Sequence, residues 1–122
     1  MAELYLEDFA IGQTFGSGRL RIEEERIRSF AAEFDPQPFH LDAAAARHTI
    51  FHGLAASGWH TAAVTMRLLV GSEFRPAGGI IGAGFDELSW PHPCGQAMSC
   101  TWRVKCLRCG HRSRVLIWGQ SK

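Results

Sequence analysis

At 122 residues, 46% of them hydrophobic and 20% charged, the chain can enclose one hydrophobic core but not two ordinary domains. Its 13 Lys and Arg nearly balance 12 Asp and Glu, so there is no general reason to expect nucleic acid or an anionic membrane as a partner. The opening residues, Met1 to Asp8, are acidic and lack the basic start and apolar stretch of a secretory signal. No apolar run approaches a membrane span, and a cytoplasmic protein is expected.

Residues 14–21 lie between Gly12 and an acidic run and suit a short, irregular strand. From Glu23 the pattern turns helical: Ile27, Phe30, Ala31 and Phe34 recur at helical spacing, and Glu23, Glu24 and Glu25 stand where the helix dipole favours negative charge. Pro36 ends that helix. Asp42 before four alanines reads as an N-cap and a short helix, and residues 49–53 as a connecting loop. From about Ala55 to Val70 the chain is apolar on nearly every face, with Gly71 as a C-terminal stop. Such a helix must be wrapped. Ile80 to Trp90 reads as a strand, and 98–106 and 113–118 as weaker ones. The expectation is an α+β fold in which a curved antiparallel sheet wraps one long buried helix.

The segment that carries chemistry is Asp35-Pro36-Gln37-Pro38-Phe39-His40. Each proline fixes its own φ and pushes the preceding residue, Asp35 or Gln37, out of the helical region, so the loop is expected to be stiff and extended. A carboxylate and an imidazole held on such a loop can contact one water, one group removing a proton while the other supplies one to a substrate. The alternative from residue types alone is a helix-ending turn with His40 as a packed core residue.

Phe34-Asp35-Pro36-Gln37-Pro38-Phe39-His40-Leu41-Asp42, followed by Gly53-Leu54-Ala55-Ala56-Ser57-Gly58-Trp59-His60-Thr61-Ala62-Ala63, closely resembles the MaoC-like dehydratases, the (R)-specific enoyl-CoA hydratase family. The resemblance spans roughly residues 4–93. Asp35 and His40 fall on the catalytic Asp and His of the family's Gly-Asp-x-Asn-Pro-(aliphatic)-His motif, and Pro38 on its Pro. Phe34 and Gln37 depart from it.

The resemblance implies a hotdog fold and reversible addition of water across a trans-2-enoyl thioester, giving an (R)-3-hydroxyacyl thioester. Asp35 and His40 would hold the water. Gly58 matches the glycine whose backbone N–H receives charge on the thioester oxygen, and a residue without Cβ at a helix start allows that approach. The alternative is that Gly58 merely packs against a strand. Ser57 is grouped with Gly58 at this oxyanion and substrate-binding place; it stands where many members have His, and no side-chain role is assigned to it. Gln37, Phe39, His52 and Trp59 are candidate pocket residues, with His52, often Gly in this branch, at the pocket mouth. Trp59, Met66, Leu68 and Leu69 read as core more readily than as an acyl-chain tunnel. His60 reads as a packed or hydrogen-bonded histidine and His48 as solvent-facing.

All four cysteines, Cys94, Cys100, Cys106 and Cys109, fall after position 93, so most of the fold is specified without disulfides. With His111 they could form a zinc site, but only one Cys-x-x-Cys pair is present and no metal is expected. Another account covers more. Residues 1–93 form the hotdog domain, and 94–122 are an atypical tail that continues the sheet in part or is disordered. If Cys94 to Ser99 were encoded TGC GGC CAG GCG ATG AGC, one preceding G shifts the reading to Val-Arg-Pro-Gly-Asp-Glu, which the family typically carries here. The tail is accordingly read as frame-shifted and short of the family's last strands.

The functional expectation is an enoyl-CoA hydratase/3-hydroxyacyl-CoA dehydratase that needs no cofactor beyond the coenzyme A thioester carrying its substrate. A homodimer with shared active sites is expected. The competing expectation is a catalytically silent hotdog domain that binds acyl-CoA or a partner subunit.

Overall fold

A computed structural model of the chain describes residues 3–82, 84–90, 92–95, 99–108 and 114–121. The first strand is short and bent, as its irregular sequence suggests: β1 (Thr14–Gly16) and β2 (Leu20–Arg21) are separated by Ser17-Gly18-Arg19. Both pair antiparallel with β3 (Ser99–Arg108), at Phe15↔Val104 and Leu20↔Cys100. The other edge of β3 is taken by β4 (Arg114–Ser121), antiparallel with a bulge between Cys106 and Arg108. β3 and β4 fall on the two weaker strand candidates and extend beyond both.

Four helices lie between these strands. α1 (Glu24–Phe34) buries Ile27 and Ala31, four residues apart on one face, and leaves Phe34 exposed. Full burial of a side chain such as Ile27 contributes about 1.5–3 kcal/mol. α2 (Pro38–Leu41) is a single turn with proline at its start, and α3 (Ala43–Ala46) is capped by Asp42, whose Oδ1 accepts from the N–H groups of Ala44 at 2.8 Å and Ala45 at 3.3 Å. α4 (Gly58–Val70) ends at Gly71, as the sequence indicates.

The core has two parts, and α4 contributes to both. Val64 and Leu68 join Ile22, Ile27, Leu54, Ala56 and Cys94, whereas Leu69 packs with Phe15, Phe74 and Val104. Phe9, Phe15 and Phe74 form an aromatic triangle with centroids 5.4–6.0 Å apart. Cys94 and Cys106 are buried in this framework. Among the described residues no cluster of His, Cys, Asp and Glu could hold a metal ion, and no helix is long and apolar enough to cross a membrane. Cys109 and His111 lie outside those residues.

Two expectations are corrected. The described residues of 80–90 form no strand. They follow Gly78 and Gly79, both at positive φ, and contain Gly82 and Gly84, and glycine in a strand weakens it. The α4 helix is also not wrapped on every side, since Trp59, Met66 and Val70 are exposed along one face. Trp59 is 59% exposed and is not core; Leu68 and Leu69 are.

Candidate active site

The Asp35 to His40 run is only partly extended. Asp35 leaves α1 with φ −152°, its N–H donating to the Ala31 carbonyl at 2.8 Å, and Gln37 is extended with φ −107° and ψ 148°. Those conformations follow from the prolines after them. Pro38, however, occupies the first position of α2, where its fixed φ suits a helix and its missing N–H is not needed. The resulting turn, closed by the His40 N–H on the Gln37 carbonyl at 3.0 Å, folds His40 back toward Asp35.

Asp35 Oδ2 lies 3.2 Å from His40 Nε2. On the far side of the ring, His40 Nδ1 is 2.6 Å from the Ala55 carbonyl oxygen. His40 is buried, edge-on to Phe39 with centroids 4.5 Å apart, and Phe39 packs in turn on Phe51. The segment carrying Ala55 is held on both sides. Its N–H donates to the Phe39 carbonyl at 3.1 Å, and the Ala56 N–H donates to the Cys94 carbonyl at 2.7 Å.

Two further donors meet the carboxylate. Ser57 Oγ donates to Asp35 Oδ2 at 2.6 Å, and Gln37 Nε2 donates to Oδ1 at 2.5 Å. The Ser57 bond first, then the Gln37 bond, hold the Asp35 carboxyl below the ordinary aspartate value; burial opposes them, and the nearby His40 adds a smaller push in the same downward direction. The Ser57 side chain, to which the sequence reading assigns no role, is thus in direct contact with Asp35.

The protonation pattern follows from these contacts. A carbonyl only accepts, so His40 Nδ1 carries a hydrogen and Nε2 faces Asp35 Oδ2. Donors crowded on the Asp35 carboxylate stabilise its ionised form.

Gly58 opens α4, where first-turn N–H groups have no intrahelical carbonyl to meet. A Cβ at this position would stand 2.9 Å from the Trp90 indole, so close packing alone calls for glycine. Trp90 also meets Trp59 edge-on, with centroids 6.0 Å apart. Trp90 and the Ala55 carbonyl are the participants that sequence reasoning missed. Trp90 entered the sequence reading only as the last residue of the expected strand from Ile80, and a backbone carbonyl leaves no mark on a sequence.

Other candidates lie apart from this group. His52 is exposed in a left-handed conformation at φ 54°, and His48 is exposed as expected. His60 is 8% exposed and stacked on Phe30 at 4.7 Å, and its Nδ1 has no hydrogen-bond partner. It borders a cleft of about 480 Å³ lined by residues of α1 that include Arg26, Phe30 and Phe34. Burial, aided by the Arg26 charge, pushes its imidazole below the ordinary histidine value.

The family model of the MaoC like domain matches residues 8–94, which include Asp35, His40, Ser57, Gly58 and Trp90. The chain belongs to the MaoC-like family. Among solved structures, it is 50% identical to the MaoC-like dehydratase from Rhodospirillum rubrum, with a TM-score of 0.86 over 98% of this chain and 85% of that one. The (R)-hydratase from A. caviae involved in PHA biosynthesis has a TM-score of 0.76 at 22% identity, covering 94% of this chain and 87% of that chain, a likeness of fold. These neighbours share the hotdog fold, so the expected α+β architecture holds. Uncharacterized protein YdeM of Bacillus subtilis (strain 168) is 34% identical over 88 residues, 72% of this chain but 62% of its own length. The chain thus spans under two thirds of that relative.

Proposed function

We propose that this protein reversibly hydrates a trans-2-enoyl thioester, carried on coenzyme A, to the (R)-3-hydroxyacyl thioester. The observation that carries the reading is the 3.2 Å approach of Asp35 Oδ2 to His40 Nε2 inside the family's motif. Asp35 takes a proton from a water as its oxygen bonds to the β-carbon of the substrate. The electron pair of the double bond moves toward the thioester carbonyl, whose developing negative charge is received by the Gly58 N–H at the positive end of α4. His40 Nε2–H then delivers its proton to the α-carbon. Asp35 is left protonated and His40 neutral, and transfer of one proton from Oδ2 to Nε2 restores the starting state. Neither a metal nor a redox cofactor enters these steps.

The exposed apolar face of α4, with Trp59, Met66 and Val70, and the exposed Ile81, Phe85 and Trp90 of the following segment support a homodimer. Trp59 and Trp90 meet edge-on, and large exposed apolar side chains brought together mark an interaction site. Light scattering on the purified chain tests this, and a mass of one chain at micromolar concentration would contradict it.

The activity is tested by incubating crotonyl-CoA with the purified chain, following the loss of enoyl absorbance and determining product chirality. The expected product is (R)-3-hydroxybutyryl-CoA. Binding of the thioester with no turnover would instead favour a catalytically silent acyl-CoA-binding domain.

A further inference from the structure

Ser57 is the residue at the N-cap of α4. Serine at such a position ordinarily accepts a hydrogen bond from an N–H of the second or third helical residue. Here its side chain makes no capping bond. The hydroxyl instead reaches Asp35 Oδ2, 22 positions earlier in the chain, and the side chain is 1% exposed. Because an ionised carboxylate only accepts, Ser57 is the donor. Its backbone cannot drift from that place, since Ala55 and Ala56 are bonded to Phe39 and Cys94 on opposite sides and the Ser57 carbonyl accepts from the Thr61 N–H at 3.0 Å.

We propose that Ser57 is a positioning residue for the acid–base pair: its hydroxyl, diverted from helix capping to Asp35, fixes Oδ2 toward His40 Nε2 and leaves the first-turn N–H groups of α4 uncapped for an anionic oxygen. The inference rests on the hydratase reading given above. Gln37 holds the other carboxylate oxygen, so the plane of the carboxyl group is set from both sides. Ser57 differs from Gln37 in joining the two halves of the site, because it carries the dyad on one side and begins the helix that bears Gly58 on the other.

The test compares the full chain with Ser57→Ala and Ser57→Thr in three measurements: the pH profile of crotonyl-CoA hydration, the Asp35 carboxyl titration by ¹³C NMR without substrate, and the thermal midpoint. Ser57→Ala is expected to lower kcat roughly tenfold or more with little change in KM. It should also move both the acidic limb and the Asp35 titration upward, while the thermal midpoint falls only modestly, because one bond to the carboxylate is lost but no capping bond is. Restoring the hydroxyl in Ser57→Thr should return the titration toward the wild-type position. An Asp35 titration unmoved in Ser57→Ala would overturn the proposal, as would a loss of activity that tracks a fall in thermal midpoint with an unshifted pH profile. If the wild type hydrates no enoyl thioester but the titration still moves, the hydratase reading fails and the Ser57–Asp35 link stands. If the wild type is active and the titration does not move, the link fails alone.

Discussion

His40 Nδ1 lies 2.6 Å from the carbonyl oxygen of Ala55, and this contact decides what the opposite ring nitrogen can do. A ring whose Nδ1 must donate has Nε2 free either to accept from a protonated Asp35 or, as imidazolium, to donate to the carboxylate. The hydroxyl of Ser57 and the amide of Gln37 stabilise charge on Asp35.

Stability should fall in mild acid because of His60. Its folded value is depressed by burial and by Arg26, so between that value and the ordinary one near 6.5 the unfolded chain binds a proton that the folded chain does not. Its contribution is intact above the ordinary value and is lost as pH drops below it. Denaturant melts at several pH values should show this loss, and His60→Leu should reduce the slope in that window.

Gly58→Ala should displace Trp90, since the added methyl would stand 2.9 Å from its ring. A clash of this kind costs about 1–3 kcal/mol, toward the lower end because Trp90 is partly exposed and able to shift. Tryptophan fluorescence and thermal melts report it. The double variant Gly58→Ala/Trp90→Ala should show a smaller additional loss than Gly58→Ala does in the wild-type background, the sign of direct coupling.

His52→Gly should stabilise the chain by up to about 1 kcal/mol, because His52 holds φ 54° at an exposed position where glycine carries no Cβ penalty. Chemical denaturation checks it, and hydration activity should be unchanged.

Much of the site was legible because it rests on local rules. The prolines after Asp35 and Gln37, the Asp42 cap and the Gly71 stop each dictate backbone geometry within a few residues, and the structure follows them. The motif spacing from Asp35 to Gly58 carried the family assignment. What escaped the sequence depends on distant neighbours. The Ala55 carbonyl, the diverted Ser57 hydroxyl and the Trp90 ring over Gly58 are set by which segments lie side by side. Residues 80–90 have the hydrophobicity of a strand, but a strand also needs a partner and tolerates few glycines, and here there are several. The all-round apolar character of α4 suggested wrapping within one chain, whereas its exposed face suits the proposed dimer.

The chain beyond residue 93 was read from weak strand patterning, cysteine spacing and its departure from the family's usual sequence. Ser99–Arg108 and Arg114–Ser121 form β3 and β4. The shifted-frame account is a proposal for the gene sequence to decide: a near-cognate Val-Arg-Pro-Gly-Asp in the neighbouring frame supports it, and its absence refutes it.

The central claim is that Asp35 and His40 together add water to an enoyl thioester. The most direct measurement is kcat for crotonyl-CoA hydration by the wild type, Asp35→Asn and His40→Gln, with folding verified by circular dichroism. Each substitution should lower kcat by about 100-fold or more in a folded chain. Hydration at the wild-type rate in both folded variants would contradict the account.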